Sequence, residues 1–306
     1  MTRVEDGADK PIADEAQTQA ETDALLAQVA EARSRNQFNP LDTNGQKTLR
    51  QLVAHFTDKR GMKRLRIAET LGEIGKPATA AVLEGLANHP DPVVRRACAK
   101  TITLIKDPVA IPAMVKALLT DEDTVVHGSA AGALAQIGKP AVPTMLELLG
   151  KPETPETTKG HLAWALSFVG EAAKEDLLGP AVEAESEAVR AAAVSAIAKL
   201  AQEAAEQGGA VDEPSLQVLT QALKDPSEEV RSEAIAVLAD LSHEPAVPEL
   251  LSLIQHELAS TRKVAALALM KIGNAGAIEP LKAQLAQESD FAVENALQMA
   301  IAQLED

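Results

Sequence analysis

This chain of 306 residues contains a repeated unit of about 31 residues. The sequence of each unit predicts two helices joined by a turn. In the clearest copy, Asp91 and Pro92 are suited to an N-cap and the first helical position, respectively. Apolar residues then recur at helical spacing, and a second, shorter helix is predicted over Ile111–Leu119. A period of this length is typical of stacked helix pairs, in which each pair buries its apolar face only against its neighbours.

One register position near the start of each first helix, called the anchor below, shows how regular the repeat is. Successive anchors are separated by 31, 32, 32, 31, 41, 31 and 32 residues, and the residue seven positions after each anchor is Leu or Ile. The anchors are Arg64, Arg95, His127, Lys159, Arg190, Arg231, Arg262 and Glu294. This register predicts an all-α fold, an α-solenoid (superhelix) of helix–turn–helix repeats.

The register also predicts how the chain is divided. Residues 1–44 form an acidic, partly disordered segment with one helix over Gln17–Arg35. Residues 45–306 form the solenoid, with about seven repeats and a C-terminal capping helix over Phe291–Leu304. The single spacing of 41 predicts an insertion of about ten residues between Ala201 and Ser215.

The composition restricts the partners and the location of the protein. A net charge of −16 argues against nucleic acid and anionic membranes and favours partners with basic patches. No apolar stretch reaches the roughly 18 residues of a membrane span, and the acidic first 24 residues predict no secretory signal. A single cysteine excludes a disulfide framework within the chain. We therefore predict a cytoplasmic protein without membrane insertion.

Three segments carry a more detailed sequence pattern: Asp91–Leu119, Asp123–Leu149 and Val230–Ile254. They resemble the HEAT-like repeats of the phycobilisome-lyase type, whose pattern is Asp-Pro-x-Val-Arg at the first helix and Ala-Val-Pro-x-Leu at the second. This family includes bilin lyase subunits and phycobilisome degradation factors. The stretch from Thr157 to Gly170 is similar to cyanobacterial members. The resemblance covers roughly residues 58–306 and implies a HEAT-repeat fold.

The same resemblance implies three functions, which stay open at this point. The first is a protein-binding scaffold or chaperone-like adaptor for phycobiliproteins or phycobilisome turnover in a cyanobacterium. The second is a subunit of a bilin lyase that attaches or detaches the chromophore. The third is a HEAT-repeat adaptor unrelated to pigments. The implied partner is a phycobiliprotein or a sister HEAT-repeat subunit, with bilin at most a transient ligand.

The anchors supply the candidate site residues. Arg95, Arg190, Arg231 and Arg262 are predicted to form a structural ladder, because a guanidinium can bridge acidic or carbonyl groups of adjacent repeats. His127 and Lys159 replace this arginine, and each precedes a glycine.

Together with His161 and the only tryptophan, Trp164, these two residues form our tentative partner-binding patch for a protein or a tetrapyrrole carboxylate. The alternative for Trp164 is packing of the indole over Gly132 in the neighbouring repeat.

No residue is predicted to be catalytic. Cys98 lies on an apolar helix face and is predicted to be a small buried hydrophobe, with a bilin-linking thiol as the alternative. The six histidines lack metal-binding spacing, and nucleotide-binding and hydrolase motifs are missing from the sequence. This pattern favours binding over catalysis and predicts no metal and no resident cofactor, while a bilin lyase remains the enzymatic alternative.

Overall fold

The computed structural model describes residues 10–305, which form helices and contain no strand. The chain divides into two compact units, residues 1–141 and 142–306. Disorder is predicted for the start of the chain, and residues 1–9 lie outside the described residues. The first helix begins at Lys10. The division at residue 44 stays a prediction.

The first unit contains an N-terminal helix, a capping helix and the start of the repeat series. The helices are α1 (Lys10–Ser34), α2 (Thr43–Ala54), α3 (Gly61–Ile74), α4 (Thr79–Asn88), α5 (Pro92–Ile105), α6 (Ile111–Thr120) and α7 (Thr124–Ile137). The first helices α3, α5 and α7 pack side by side, and the second helices α4 and α6 each pack against the first helix that follows.

The second unit continues the same arrangement. Its helices are α8 (Val142–Gly150), α9 (Glu156–Val169), α10 (Lys174–Asp176), α11 (Glu187–Glu206), α12 (Glu213–Ala222), α13 (Glu228–Asp240), α14 (Val247–Leu253), α15 (Ala259–Ile272), α16 (Ile278–Leu285) and α17 (Phe291–Glu305). The first helices α9, α11, α13, α15 and α17 pack in sequence order, as they do in an α-solenoid.

Small aliphatic side chains fill the core of both units. All eight residues that lie seven positions after an anchor are buried, from Leu71 to Ile301. Burial of one such side chain contributes roughly 1.5–3 kcal/mol, so each repeat gains a similar contribution from this register position.

The joint between the paired helices requires a positive φ angle eleven residues after the anchor. Glycine occupies this position at Gly75, Gly138, Gly170 and Gly273, where φ lies between 73° and 80°. Lys106 and Ser242 occupy the same position in two other repeats and also have positive φ angles, of 55° and 49°. Glycine has no Cβ to clash in this conformation, and the four glycines therefore end their helices with little strain.

Two elements of the fifth and fourth repeats differ from the rest. α11 has 20 residues, whereas the other seven first helices have 13 to 15, and it takes up most of the insertion that the spacing of 41 predicts. In repeat four, the register of the repeats predicts a second helix over Glu175–Val182. The structure does not form it as one continuous α-helix. The short α10 passes instead into a π-helical turn, Leu177–Ala181, with a non-helical Gly179. Gly179 precedes a proline, and a residue in that position is disfavoured in the α conformation.

α1 lies along α3 and is attached mainly by ion pairs. Asp23 pairs with Arg60 and Lys63, and Arg33 pairs with Glu73 at the other end of α3. Among the residues of α1 whose burial is described, only Thr22 and Val29 are buried. The contact between α1 and the repeats therefore combines partly exposed ion pairs with a small apolar contact around Val29.

Candidate functional site

The anchor arginines Arg95, Arg190 and Arg262 share one geometry. Nη1 donates to two carbonyl oxygens of the loop before its own helix, at 2.9–3.1 Å. Nε and Nη2 donate to one carboxylate of the loop before the next first helix, at 2.7–3.0 Å. The three carboxylates are Asp121, Asp225 and Glu288, each six residues before the next anchor. We call this the acceptor position, and one anchor with its acceptor a rung.

The side chains of these rungs are bonded to one another and largely shielded from solvent. The paired side chains are only 2–15% exposed. Hydrogen bonds from the Arg262 guanidinium lower the pKa of Glu288 to about 2, and the bonds from Arg95 lower the pKa of Asp121. Carboxylates held in this way stay ionised at neutral pH and are occupied by the ladder.

Arg231 lies in the same register but lacks the carboxylate. Its Nη1 donates to the carbonyl oxygens of Asp225 and Pro226, as in the other rungs. Nη2 reaches the hydroxyl of Thr261 at 3.4 Å. Nε is buried and has no hydrogen-bond partner within the described part of the chain.

His127 and Lys159 lie in different units and make different contacts. His127, on α7 of the first unit, places Nε2 2.7 Å from the carbonyl oxygen of Asp121, the group that an anchor arginine would use. Lys159, on α9 of the second unit, donates from Nζ to Glu156 within its own helix at 2.7 Å. His127 therefore contacts a carbonyl oxygen of the loop before its own helix, as the anchor arginines do, whereas Lys159 does not.

The predicted patch residues on α9 are accompanied by a second aromatic side chain. Trp164 is 48% exposed and Phe168 is 50% exposed, and their ring centroids lie 4.7 Å apart with the planes inclined by 44°. The Nζ atom of Lys199, on α11, lies 3.4 Å from the centroid of Phe168 in a cation–π contact. We call Trp164, Phe168 and Lys199 the aromatic surface. It includes two of only five aromatic residues in the chain.

The spacing of residues on α9 and α11 explains this surface. His161, Trp164 and Phe168 are three and four residues apart, so they follow one another along one face of α9. The equivalent positions of α11 hold Ala192, Ser195 and Lys199. The neighbouring helix α11 thus has small side chains at the register positions of His161 and Trp164, and both Trp164 and Phe168 are half-exposed.

His161 lies at the start of this face. Its Nδ1 is 2.8 Å from the carbonyl oxygen of Thr157 and must carry a proton to donate there. Nε2 of the neutral ring is then an acceptor. His161, Trp164 and Lys159 thus share α9. Packing of Trp164 over Gly132 stays a prediction, since these two residues belong to different units.

Phe168 and Lys199 are not among the site residues predicted from the sequence. Both lie nine residues after their anchors, so an alignment of the repeats by register would have placed them side by side on adjacent helices. Exposed aromatic side chains next to a cation form the kind of surface at which protein interfaces concentrate their binding energy.

Cys98 is fully buried, and burial raises the pKa of its thiol to about 12. The prediction of a small buried hydrophobe is therefore confirmed, and a bilin-linking thiolate is not supported at this position. Across residues 10–305, no group of three or more His, Cys, Asp or Glu side chains is placed to hold a metal ion. No described helix is long and apolar enough to cross a membrane.

Comparison with known proteins agrees with this architecture. A family model of HEAT repeats matches residues 49–135, 81–160 and 216–302. The crystal structure of Kap121p bound to Nup53p matches with a TM-score of 0.54 and 15% identity, over 85% of this chain and 32% of that one. These matches and the stacked helix pairs define the class as HEAT-repeat proteins, as predicted.

Two relatives narrow the class further. The bilin biosynthesis protein MpeU of Synechococcus sp. (strain WH8020) is 33% identical over 259 residues, 84% of each chain. The uncharacterized phycocyanin operon protein Z of Pseudanabaena tenuis (strain PCC 7409) is 26% identical over 177 residues, 55% of this chain and 87% of that protein. The chain therefore belongs to the HEAT-repeat family, in the group that contains this bilin biosynthesis protein.

Proposed function

We propose that this protein is a binding scaffold for a phycobiliprotein and that it holds this partner at the aromatic surface of α9 and α11. The observation that carries the proposal is the contact between two half-exposed aromatic rings on α9, in a chain with only five aromatic residues. The relationship to a bilin biosynthesis protein and to a protein of a phycocyanin operon supports a partner from pigment metabolism.

The physical basis is the area that the rings still expose. Covering Trp164 and Phe168 with a partner removes apolar surface from water, and the indole N–H is available to donate a hydrogen bond at the edge. Both rings are already held by their mutual contact, and Phe168 is also held by Lys199. Little side-chain entropy is therefore lost when they are buried.

A second candidate function is that of a bilin lyase subunit. It is favoured by the identity of 33% to a bilin biosynthesis protein over most of both chains. In this case the aromatic surface would stack against the tetrapyrrole, and His161 and Lys159 would lie close enough along α9 to meet its carboxylates. Cys98 would take no part, because its thiol is buried and has a raised pKa.

The test is the double variant Trp164→Ala/Phe168→Ala, with purified phycocyanin, in apo and chromophore-bound form, as the probe. We expect a loss of about 30-fold or more in affinity, since truncation of a central aromatic residue at an interface costs about 2 kcal/mol or more. The matched control is Phe291→Ala on α17, which removes an aromatic side chain that is 76% exposed in the same unit. Unfolding curves of both variants should stay close to that of the wild type.

A transfer assay separates the two candidates. Free phycocyanobilin and apo-phycocyanin are mixed with the protein, and covalent attachment is followed by absorbance after denaturation. A scaffold binds phycocyanin without raising the attachment rate, whereas a lyase subunit raises it, alone or with a sister subunit. If the wild type binds neither phycocyanin nor free bilin, both candidates are wrong.

A further inference from the structure

The two rings of the aromatic surface differ in their contacts with cations. Nζ of Lys199 lies 3.4 Å from the centroid of the Phe168 ring. Among residues 142–305, no cation lies over the ring of Trp164, and this residue is half-exposed. The surface therefore contains one ring that a cation already covers and a second ring that is open to a ligand.

An indole is well suited to bind a cation. The face of an aromatic ring carries a negative electrostatic potential that attracts cations, and tryptophan binds them best among the aromatic side chains. Lys199 over Phe168 is an example of this interaction within the same surface. A carboxylate oxygen of Glu203 lies 3.9 Å from Nζ of Lys199, so the surface also provides a negative group beside its rings.

The charge of the surrounding unit favours the same kind of ligand. Residues 142–306 contain 27 acidic and 11 basic residues. Such an excess of carboxylates attracts cations to the unit and opposes the approach of anions. The open ring and the net charge of the unit therefore both favour a positive group over a neutral or negative group of similar size.

We propose that Trp164 binds a guanidinium group, presented by an arginine of the protein partner. A planar guanidinium stacks on the indole and keeps its N–H groups free to donate to carboxylates at the edge of the contact. A lysine ammonium lacks this planar contact. The proposal rests on the proposed function, since it specifies the chemistry that the aromatic surface recognises in its partner.

The fluorescence of the protein tests this proposal directly. Trp164 is the only tryptophan of a chain without tyrosine, so the intrinsic fluorescence reports on this residue. The full chain is titrated at one ionic strength with peptides Gly-X-Gly-X-Gly, in which X is arginine, lysine, citrulline or glutamate. Citrulline has the shape of arginine without its charge. We expect the arginine peptide to bind about threefold more tightly than the citrulline peptide and more tightly than the lysine peptide, with no binding of the glutamate peptide.

Two matched variants test whether the peptide binds at this surface. Lys199→Ala removes a like charge and uncovers Phe168, so the arginine peptide should bind about threefold more tightly than to the wild type. Lys263→Ala removes the same charge from an exposed position on α15 of the same unit and should change the affinity much less. A surface that recognises carboxylates would respond to Lys199→Ala in the opposite direction.

Three results would overturn the proposal: equal affinities for the arginine and citrulline peptides, equal affinities for the arginine and lysine peptides, or weaker binding of the arginine peptide to Lys199→Ala. These results leave the proposed function intact if phycocyanin still binds through Trp164 and Phe168. Conversely, a preference for the arginine peptide in a protein that does not bind phycocyanin contradicts the proposed function and supports the guanidinium site.

Discussion

At the scale of single residues, two helix-interior glycines serve different purposes. A Cβ at Gly85, on α4, would lie 2.5 Å from Cγ1 of Val53 and 2.9 Å from Sγ of Cys98. A Cβ at Gly132, on α7, would meet no atom within 4 Å. Gly85 is therefore required for the close approach of three helices, α2, α4 and α5, whereas Gly132 lowers the helix propensity of α7 and has space for a Cβ.

This difference predicts opposite effects of the same substitution. Gly85→Ala should destabilise the protein by about 1–3 kcal/mol, because the new methyl group overpacks the contact with Val53 and Cys98. Gly132→Ala should stabilise it by about 0.5–1 kcal/mol, because alanine is the better helix former. Urea unfolding of the two variants and the wild type measures both. Equal stability of Gly85→Ala and the wild type would contradict the packing argument.

At the scale of helices, the ladder links the start of each first helix to the loop before the next. The complete rungs use buried carboxylates, and Glu288 shows the consequence most clearly because its pKa is about 2 in the folded protein. The ordinary pKa of a glutamate is about 4.3. A folded-state pKa that is depressed in this way adds stability above the unfolded-state value, and this stability is lost as the pH falls.

Glu288→Gln should therefore destabilise the protein by about 1–3 kcal/mol at pH 7, as expected for loss of hydrogen bonds to a charged group. The stability difference from the wild type should stay constant above about pH 5 and shrink towards pH 2, between the unfolded and folded pKa values. Urea unfolding from pH 3 to pH 7 measures it. The control is Glu229→Gln, at an exposed carboxylate outside the ladder, which should show little difference. A difference for Glu288→Gln that persists unchanged at pH 3 would be the contrary result.

At the scale of the whole molecule, the charge is unevenly divided. Residues 1–141 contain 18 basic and 18 acidic residues, whereas residues 142–306 contain 11 basic and 27 acidic ones. The net charge of −16 thus lies entirely in the second unit, which also carries the aromatic surface. Partners with basic patches, which the composition favours, would be attracted to this unit.

A higher salt concentration should therefore have opposite effects on the rate of amide exchange in two parts of the chain. Raising the salt concentration from about 20 to 300 mM screens the self-repulsion of the second unit and should slow amide exchange over residues 142–305. It should speed exchange in α1, because α1 is attached to α3 by ion pairs such as Asp23–Lys63 and Arg33–Glu73. Hydrogen exchange followed by mass spectrometry measures both. Parallel changes in the two regions would contradict the electrostatic argument.

The sequence by itself determined the fold class, because the signals for it are local or strictly periodic. Apolar spacing, Asp-Pro starts and glycine joints specify each helix pair, and a constant period leaves stacking as the way to bury their apolar faces. The second helix predicted over Glu175–Val182 is interrupted in the structure, where Gly179 has a non-helical conformation.

The tertiary structure alone decided which of the singled-out residues are exposed and what they contact. Trp164 is half-exposed in the packed structure, and Phe168 and Lys199 meet only through the packing of α9 on α11. Arg231 matches the other anchors in sequence, yet it is buried without a carboxylate because its acceptor lies in the next repeat. Exposure and charge compensation depend on neighbours about 30 residues away, and periodicity within one helix carries no information about them.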